Sequence, residues 1–172
     1  MTDAARPSVP DRRRWDRRLL ILPGLAVLAG AFLWMRNGHP RAPDLAPLAS
    51  APPVIQLHVA GALTALAVGT VLLLGVKGTQ RHRGLGWAWV VAMATTAISS
   101  LFIHTINPGG FSLIHLISGW TIVALPMAVY AARRHRVAVH RRSMTAMFVG
   151  GLLIAGAFAF LPGRLMWAVF FG

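Results

Sequence analysis

Five apolar runs, separated by short polar connections, constrain this chain more than any other feature of its sequence. A helix needs about 20 residues to cross a bilayer, with a lower limit near 17. The runs are Leu19–Met35, Val54–Val76, Trp87–Ile106, Leu113–Ala132 and Met144–Leu161. Because each run reaches this length, the sequence predicts an all-α membrane protein with five transmembrane helices: an N-terminal anchor plus a four-helix bundle of two tandem hairpins.

The scarcity of charged side chains argues against a soluble enzyme. Hydrophobic residues make up 56% of the 172 residues and charged residues 12%, whereas soluble domains carry about 45–50% and about 25%. The four acidic residues lie in the first quarter of the chain: Asp3, Asp11, Asp16 and Asp44. Nothing after Asp44 can act as a carboxylate base, nucleophile or hard-metal ligand. Since the chain also lacks cysteine, histidine is the main side chain left to hold a metal or cofactor.

The basic residues indicate the orientation of the chain. They give a net charge of +13, but they lie between apolar runs rather than on a surface typical of nucleic-acid binding. With the N terminus inside, all but three of the 17 lysines and arginines face the cytoplasm, and the exceptions are Arg36, Arg41 and Arg164. Such an excess is characteristic of cytoplasmic loops. We therefore expect a multi-pass inner-membrane protein that contacts lipid, with a cytoplasmic N terminus and no bound nucleic acid.

Composition divides the chain into four parts. Residues 1–18 are a basic cytoplasmic tail without hydrophobic periodicity, and we expect them to be disordered. Residues 19–35 form the transmembrane anchor, although a cleaved signal peptide ending near Ala49-Ser50-Ala51 is an alternative. Residues 36–53 contain five prolines and predict an extended outer linker. Residues 54–172 form the four-helix membrane domain, with residues 162–172 too short to cross and expected at the interface.

The seven histidines sort by depth. His58, His104 and His115 lie at the outer ends of their runs, and His82, His135 and His140 lie at the inner face, in or near loops. His39 falls in the linker and is expected to be solvated.

A weak internal repeat relates the two hairpins. Aligning the second run with the fourth places His58 over His115, and one inserted residue then places His82 over His140. This pattern favours duplicated hairpins in the same orientation, with chance similarity as the alternative.

The repeat pairs histidines at matched depth. In an up-and-down bundle the second and fourth spans are diagonal, so His58 would face His115, and His82 would face His140. Facing imidazoles can ligate a haem iron from both sides. Small residues would leave room for the ring, namely Gly61, Ala62, Gly84, Gly86, Ser118 and Gly119. Four inner arginines, Arg81, Arg83, Arg141 and Arg142, are suited to bind propionates, and we single out Arg83 and Arg141.

Other interpretations of these residues remain open. His104 is an alternative outer ligand, a hydrogen-bonding group or a proton carrier. Any single histidine near an interface is more often a tolerated boundary residue than a ligand, and the RHR and HRR stretches can instead contribute to a basic surface that binds anionic lipid headgroups.

Several motifs, taken in order, resemble a family of bacterial membrane proteins called the domain of unknown function 2306 family. The motifs are HVAGA from His58, KGTQRHRGLGW from Lys77, SSLFIH from Ser99, FSLIH from Phe111, HRRSM from His140 and GLLIAGAFAFLPGR from Gly151. The resemblance covers residues 54–172 and implies a polytopic bacterial inner-membrane protein without an established activity. A second similarity, in arrangement only, is to membrane electron carriers of the cytochrome b561 type. That similarity would place His58 with His115, and His82 with His140, as axial ligands of two b haems.

Three functions follow as hypotheses. The first is a bis-histidine haem b protein that transfers electrons between a quinol or cytoplasmic donor and an acceptor at the outer face, with a quinol or a redox protein as its partner. The second is a non-catalytic factor that binds copper through His58, His104 and His115 and aids oxidase assembly. The third is a small proton-coupled transporter in which the histidines relay protons.

Overall fold

The described part of the chain, residues 42–103 and 113–171 of a computed structural model, is helical and contains no strand. The elements are α1 (Ala46–Ala49), α2 (Pro53–Leu74), α3 (Gln80–Ser100), α4 (Leu113–Arg133), α5 (Val137–Ala146), a π-helical segment (Met147–Ile154), α6 (Ala155–Phe158) and α7 (Leu165–Phe171). Helices α2 and α3 pack along each other, α3 packs against α4, and α4 packs against α5. The π segment contacts both α2 and α4, so it lies on the same core as the two hairpins.

Local signals explain where α2 and α3 begin and end. Pro53 opens α2, where the missing N–H of a proline costs nothing. After α2, the Lys77 ammonium donates to the carbonyls of Leu73, at 2.6 Å, and Gly75, at 2.8 Å. Thr79 caps α3, and its hydroxyl accepts the N–H of His82 at 3.1 Å. The connection between these helices is therefore only a few residues long.

A seam of small residues lets α2 approach its neighbours closely. Gly61, Ala65 and Gly69 are the buried residues of α2. A Cβ at Gly69 would lie 2.6 Å from ring atoms of both Phe148 and Trp89. Glycine and alanine at a four-residue spacing permit such close contact between membrane helices.

The hydrophobic core lies beside this seam. Its members include Met147, which is fully buried, together with Trp89, Phe148, Leu125 and Leu152. Three of these five residues belong to the π segment, so the wide helical turn presents its side chains to the core.

Two of the described helices are long and apolar enough to cross a membrane. They are Pro53–Leu74 and Ile114–Arg133, and only 11% and 33% of the residues in their most apolar windows are buried. Exposed leucine and valine side chains, such as Leu63 and Val123, cover their outer faces. A helix that leaves so much apolar surface uncovered is suited to lipid rather than to water.

Several sequence-based boundaries need correction. Helix α3 begins at Gln80 rather than Trp87, because Thr79 caps a polar first turn that precedes the apolar run. Helix α5 begins at Val137 rather than Met144, without a side-chain cap. The linker was expected to be extended as far as residue 53, but Ala46–Ala49 form α1, whose first N–H bonds to Asp44 Oδ1 at 2.9 Å. The π-helical segment was not predicted. The tail, the anchor and His39 lie outside the described residues.

Residues near the C terminus form α7, which packs on α1. The N–H of Asp44 donates to the carbonyl of Val169 at 2.9 Å, and Val169 is buried. This contact joins the end of the linker to the end of the chain.

Candidate functional site: a buried layer of histidines and hydroxyls

A layer of buried polar side chains lies toward the end of α3 and the start of α4. Seven residues form this polar layer: His58 from α2, Thr96, Ser99 and Ser100 from α3, and His115, Ser118 and Thr121 from α4. All except the half-buried His58 are buried, and they are the buried polar residues of the described chain. Burying polar groups in an apolar domain is costly unless they are bonded, so each requires a partner.

The hydroxyls of the layer find partners within their own helices. Thr96 Oγ1 donates to the carbonyl of Ala92 at 2.8 Å, and Thr121 Oγ1 donates to that of Ile117 at 2.8 Å. The three serines make the same kind of bond to carbonyls three or four residues earlier. Because these donors are satisfied by the backbone, the hydroxyls are structural parts of the layer rather than its chemically available groups.

His58 is held in one orientation by α3. Its Nδ1 lies 3.0 Å from the carbonyl oxygen of Thr96 and 3.2 Å from Ser99 Oγ. A carbonyl oxygen only accepts hydrogen bonds, so in this contact Nδ1 carries the proton and donates. The neutral ring then has its lone pair on Nε2. A hydrogen bond from one ring nitrogen to a backbone carbonyl is the usual support of a histidine that binds metal through the other nitrogen.

The same end of α3 also contacts α4. Ser100 and Ser118 form a short hydrogen bond through their hydroxyls. His115 lies one helical turn before Ser118 and is 6% exposed. Two histidines from different helices, His58 and His115, therefore lie in the layer formed around the last turns of α3.

The room expected around this pair is only partly present. A Cβ at Gly61 would lie 2.9 Å from Thr96 Oγ1, so α3 fills that space, and Ala62 packs against the core. Gly119, four residues after His115, has no described atom within 4 Å of its Cβ position. Among the described residues, the Cβ position is therefore blocked at Gly61 and unobstructed at Gly119.

A second pair of histidines lies at the other end of the helices. His82 and His140 were expected in or near loops, but each lies in the first turn of a helix, α3 and α5 respectively. Partial burial lowers the pKa of His82, and the positive charges of His140 and Lys77 lower this pKa further. His140 and Lys77 are therefore close enough for their charges to act on His82. His82 lies in the polar first turn of α3, before the apolar run of that helix.

His140 repeats the contact made by His58. Its Nδ1 lies 3.0 Å from the carbonyl oxygen of Ala128 in α4, so in the neutral form of this ring the lone pair is also on Nε2. The glycines near His82, Gly84 and Gly86, have no described atom within 4 Å of their Cβ positions. The two arginines expected to bind propionates, Arg83 and Arg141, are exposed at this end.

The remaining predicted ligands are not brought into a larger cluster. No group of three potential metal-ligating side chains occurs within residues 42–103 and 113–171. His104, the third member of the expected copper trio, lies outside these ranges, and His135 is exposed in the turn before α5. Sequence analysis assigned no role to Thr96 and Ser99, although two hydroxyl pairs, Thr95-Thr96 and Ser99-Ser100, mark the polar end of this helix.

The described residues form an all-helical domain with a buried polar layer, and two of the helices are long and apolar enough to cross a membrane. The chain belongs to the family described as "Predicted membrane protein (DUF2306)", which it matches over residues 55–169. This match confirms the main resemblance found in the sequence. No curated protein and no solved structure matches the chain, so the weaker similarity to the cytochrome b561 type has no support from these comparisons.

Proposed function

We propose that the domain is a membrane electron carrier that binds a b-type haem through His58 and His115. When bound, the iron of such a group passes between ferrous and ferric states and so carries one electron. The observation that carries the proposal is the contact from His58 Nδ1–H to the Thr96 carbonyl, because it leaves Nε2 as the available imidazole lone pair. In this proposal the four helices cross the membrane as a bundle with the N terminus inside.

The donor set fits this group. Both histidines can bind iron as uncharged imidazoles, and the domain that holds them contains no aspartate, glutamate or cysteine that would bind the metal instead. Histidine pairs are established axial ligands of haem iron. The unobstructed position at Gly119 supplies space that the close Gly61 contact does not. The chain's own contribution is to orient the two rings, keep His58 in one tautomer and exclude water from the iron.

The inner pair provides a second candidate position. His82 and His140 lie in the first turns of α3 and α5, the charge of His140 lowers the pKa of His82, and Arg83 and Arg141 supply positive charge for propionates at this end. A second haem at this pair stays a prediction, and the haem-to-protein ratio tests it.

A reduced-minus-oxidised absorption spectrum of the full chain, purified in mild detergent, tests the proposal. We expect a sharp α-band of low-spin b haem that is lost in His58→Ala and in His115→Ala. His135→Asn is the matched control, because His135 has φ 56° and asparagine tolerates this left-handed conformation. It should keep the band.

A second set of variants separates ligation from folding. His58→Met retains a possible axial ligand, and a His–Met pair has a higher reduction potential than a His–His pair. We expect a folded protein with a shifted potential. An unchanged spectrum in both alanine variants, each still helical by circular dichroism, would refute the outer-site proposal.

Copper binding is the second candidate, favoured by the close contact at Gly61, since an ion needs far less room than a macrocycle. Imidazole nitrogens suit copper. Elemental analysis of haem-free protein should then find copper that is lost in His58→Ala and in His104→Ala. Metal-free protein would contradict this candidate. The proton-coupled transporter stays a prediction, tested by uptake in proteoliposomes.

A further inference from the structure

The side chain of Ser99 links two helices of the polar layer. Its Oγ lies 3.2 Å from His58 Nδ1, so α3 reaches the imidazole on α2 through this hydroxyl. The hydroxyl of Thr121, in contrast, bonds to the carbonyl of Ile117 in its own helix. Ser99 is 4% exposed, so the protein shields its contact with His58 from water.

The proton of the Ser99 hydroxyl is used within α3. Oγ lies 2.6 Å from the carbonyl oxygen of Thr95 and 3.1 Å from that of Thr96, and both carbonyls can only accept. Since a hydroxyl has a single proton, Ser99 Oγ acts toward His58 as an acceptor. The Nδ1 proton of His58 is therefore shared between Ser99 Oγ, at 3.2 Å, and the Thr96 carbonyl, at 3.0 Å. Both acceptors favour the same tautomer, with the lone pair on Nε2.

The close approach of α2 to α3 makes these contacts possible. Gly61 lies less than one helical turn after His58, and a Cβ at Gly61 would lie 2.9 Å from Thr96 Oγ1. A side chain at that position would push the two helices apart. The glycine contact therefore keeps the His58 ring within hydrogen-bond distance of Ser99.

We propose that Ser99 is a positioning residue for His58: it accepts the Nδ1 proton, fixes the tautomer and makes Nε2 a stronger electron-pair donor. Hydrogen bonds from the second ring nitrogen orient a ligating histidine and raise its basicity. The bond from His58 continues through the Ser99 hydroxyl to the Thr95 carbonyl, and hydrogen bonds in such a chain strengthen one another. The effect on a bound iron rests on the function proposed above, whereas the effect on the tautomer does not.

The first experiment uses the haem-free full chain, with isotope-labelled histidine nitrogens, at a pH where the rings are neutral. Magnetic resonance distinguishes a protonated from an unprotonated ring nitrogen, and the His58 signals are those lost in His58→Ala. We expect Nδ1 to carry the proton in the unmodified protein. In Ser99→Ala the fraction protonated at Nε2 should rise, because one of the two acceptors is lost. Ser99→Thr, which keeps a hydroxyl, should restore the original signals.

The matched control is Thr121→Val, which removes a buried hydroxyl of the same layer that bonds to its own helix. It should leave the His58 signals unchanged. An unmodified His58 ring protonated at Nε2 would overturn the proposal, and so would equal effects of Ser99→Ala and Thr121→Val. The first of these results needs no variant, so the proposal can be refuted even if Ser99→Ala does not fold.

The second experiment separates the role of Ser99 from haem binding itself. Loss of a hydrogen-bonding partner behind a ligating histidine typically weakens metal binding by about 10- to 100-fold. We expect Ser99→Ala to weaken haem affinity by a factor in this range and to raise the reduction potential, because a less basic imidazole stabilises ferric iron less. Ser99→Thr should restore both values. Haem binding with unchanged affinity and potential in Ser99→Ala refutes the positioning role. A tautomer that depends on Ser99 in a protein that binds no haem supports the positioning role and refutes the function proposed above.

Discussion

Replacing Gly69 with alanine tests the close helix contact on which the fold depends. The added Cβ would lie 2.6 Å from Phe148 Cδ2 and Cε2 and 2.6 Å from Trp89 Nε1. Both rings are buried, at 6% and 3% exposure, so neither can move aside without disturbing the core. Overpacking of this kind costs about 1–3 kcal/mol, and the two immobile rings place Gly69→Ala at the upper end.

The intrinsic preference of a helix for alanine opposes this cost. Alanine in place of glycine in mid-helix gains roughly 0.5–1 kcal/mol, so the net loss of stability at Gly69 should be about 2 kcal/mol. Gly84→Ala is the matched control, because Gly84 also lies within a long helix but has no described atom within 4 Å of its Cβ position. It should be stabilised by about 0.5–1 kcal/mol.

The assay is reversible unfolding in mixed micelles, followed by circular dichroism at a helix-sensitive wavelength. The two variants should shift stability in opposite directions, and the sign of each shift is more informative than its size. If Gly69→Ala is as stable as the unmodified protein, or gains stability like Gly84→Ala, then α2 does not approach Trp89 and Phe148 as described, and the packing of the core is wrong.

Two further predictions concern His82 and Met147. The folded state lowers the pKa of His82 through burial and through the charges of His140 and Lys77; the unfolded chain therefore binds this proton more tightly, and stability should fall as the pH drops below 6.5. Unfolding is measured at pH 7.5 and pH 5.5, roughly one unit either side of the unperturbed histidine pKa. The loss of stability between these two pH values should be smaller in His82→Gln than in the unmodified protein. An identical loss in both proteins would contradict the environment described for His82. Met147 is a fully buried member of the core, so Met147→Ala should cost about 2–5 kcal/mol by the same unfolding assay, with the exposed Met127→Ala as control.

The sequence predicted the existence of the described helices better than their ends. Apolar runs place α2 and α4 almost as observed, because an apolar stretch in a membrane protein must hydrogen-bond internally. The runs say nothing about helical turns that extend into the headgroup region. Thr79 was a visible start signal for α3, but the polar residues after it resemble a loop when hydropathy alone is used.

The π segment and the polar layer show a different limit of sequence reasoning. A π-helical turn depends on the packing of neighbouring helices, and Gly150-Gly151 alone indicates only close contact. The depth of His58 and His115 followed from their positions in the runs. Their hydroxyl surroundings did not, because serine and threonine in membrane helices usually bond to their own backbone and carry no distinct signal. The close contact at Gly61 could not be predicted from the sequence, because the spacing of residues does not distinguish an open gap from tight packing between two helices.

The two carbonyl-bound histidines have a consequence for the whole domain. His58 donates to α3 and His140 donates to α4, so the same ring nitrogen is fixed at both ends of the helices. Along α3, His82 and Thr96 are 14 residues apart, which corresponds to about 21 Å of helix rise. The hydrocarbon core of a bilayer is about 30 Å thick. Histidine sites with this separation would each lie near one face of the membrane, and electron transfer between them would therefore cross most of its thickness. A single outer site would instead exchange electrons or metal with partners on one side only, which makes the haem-to-protein ratio decisive for the kind of function that this domain can perform.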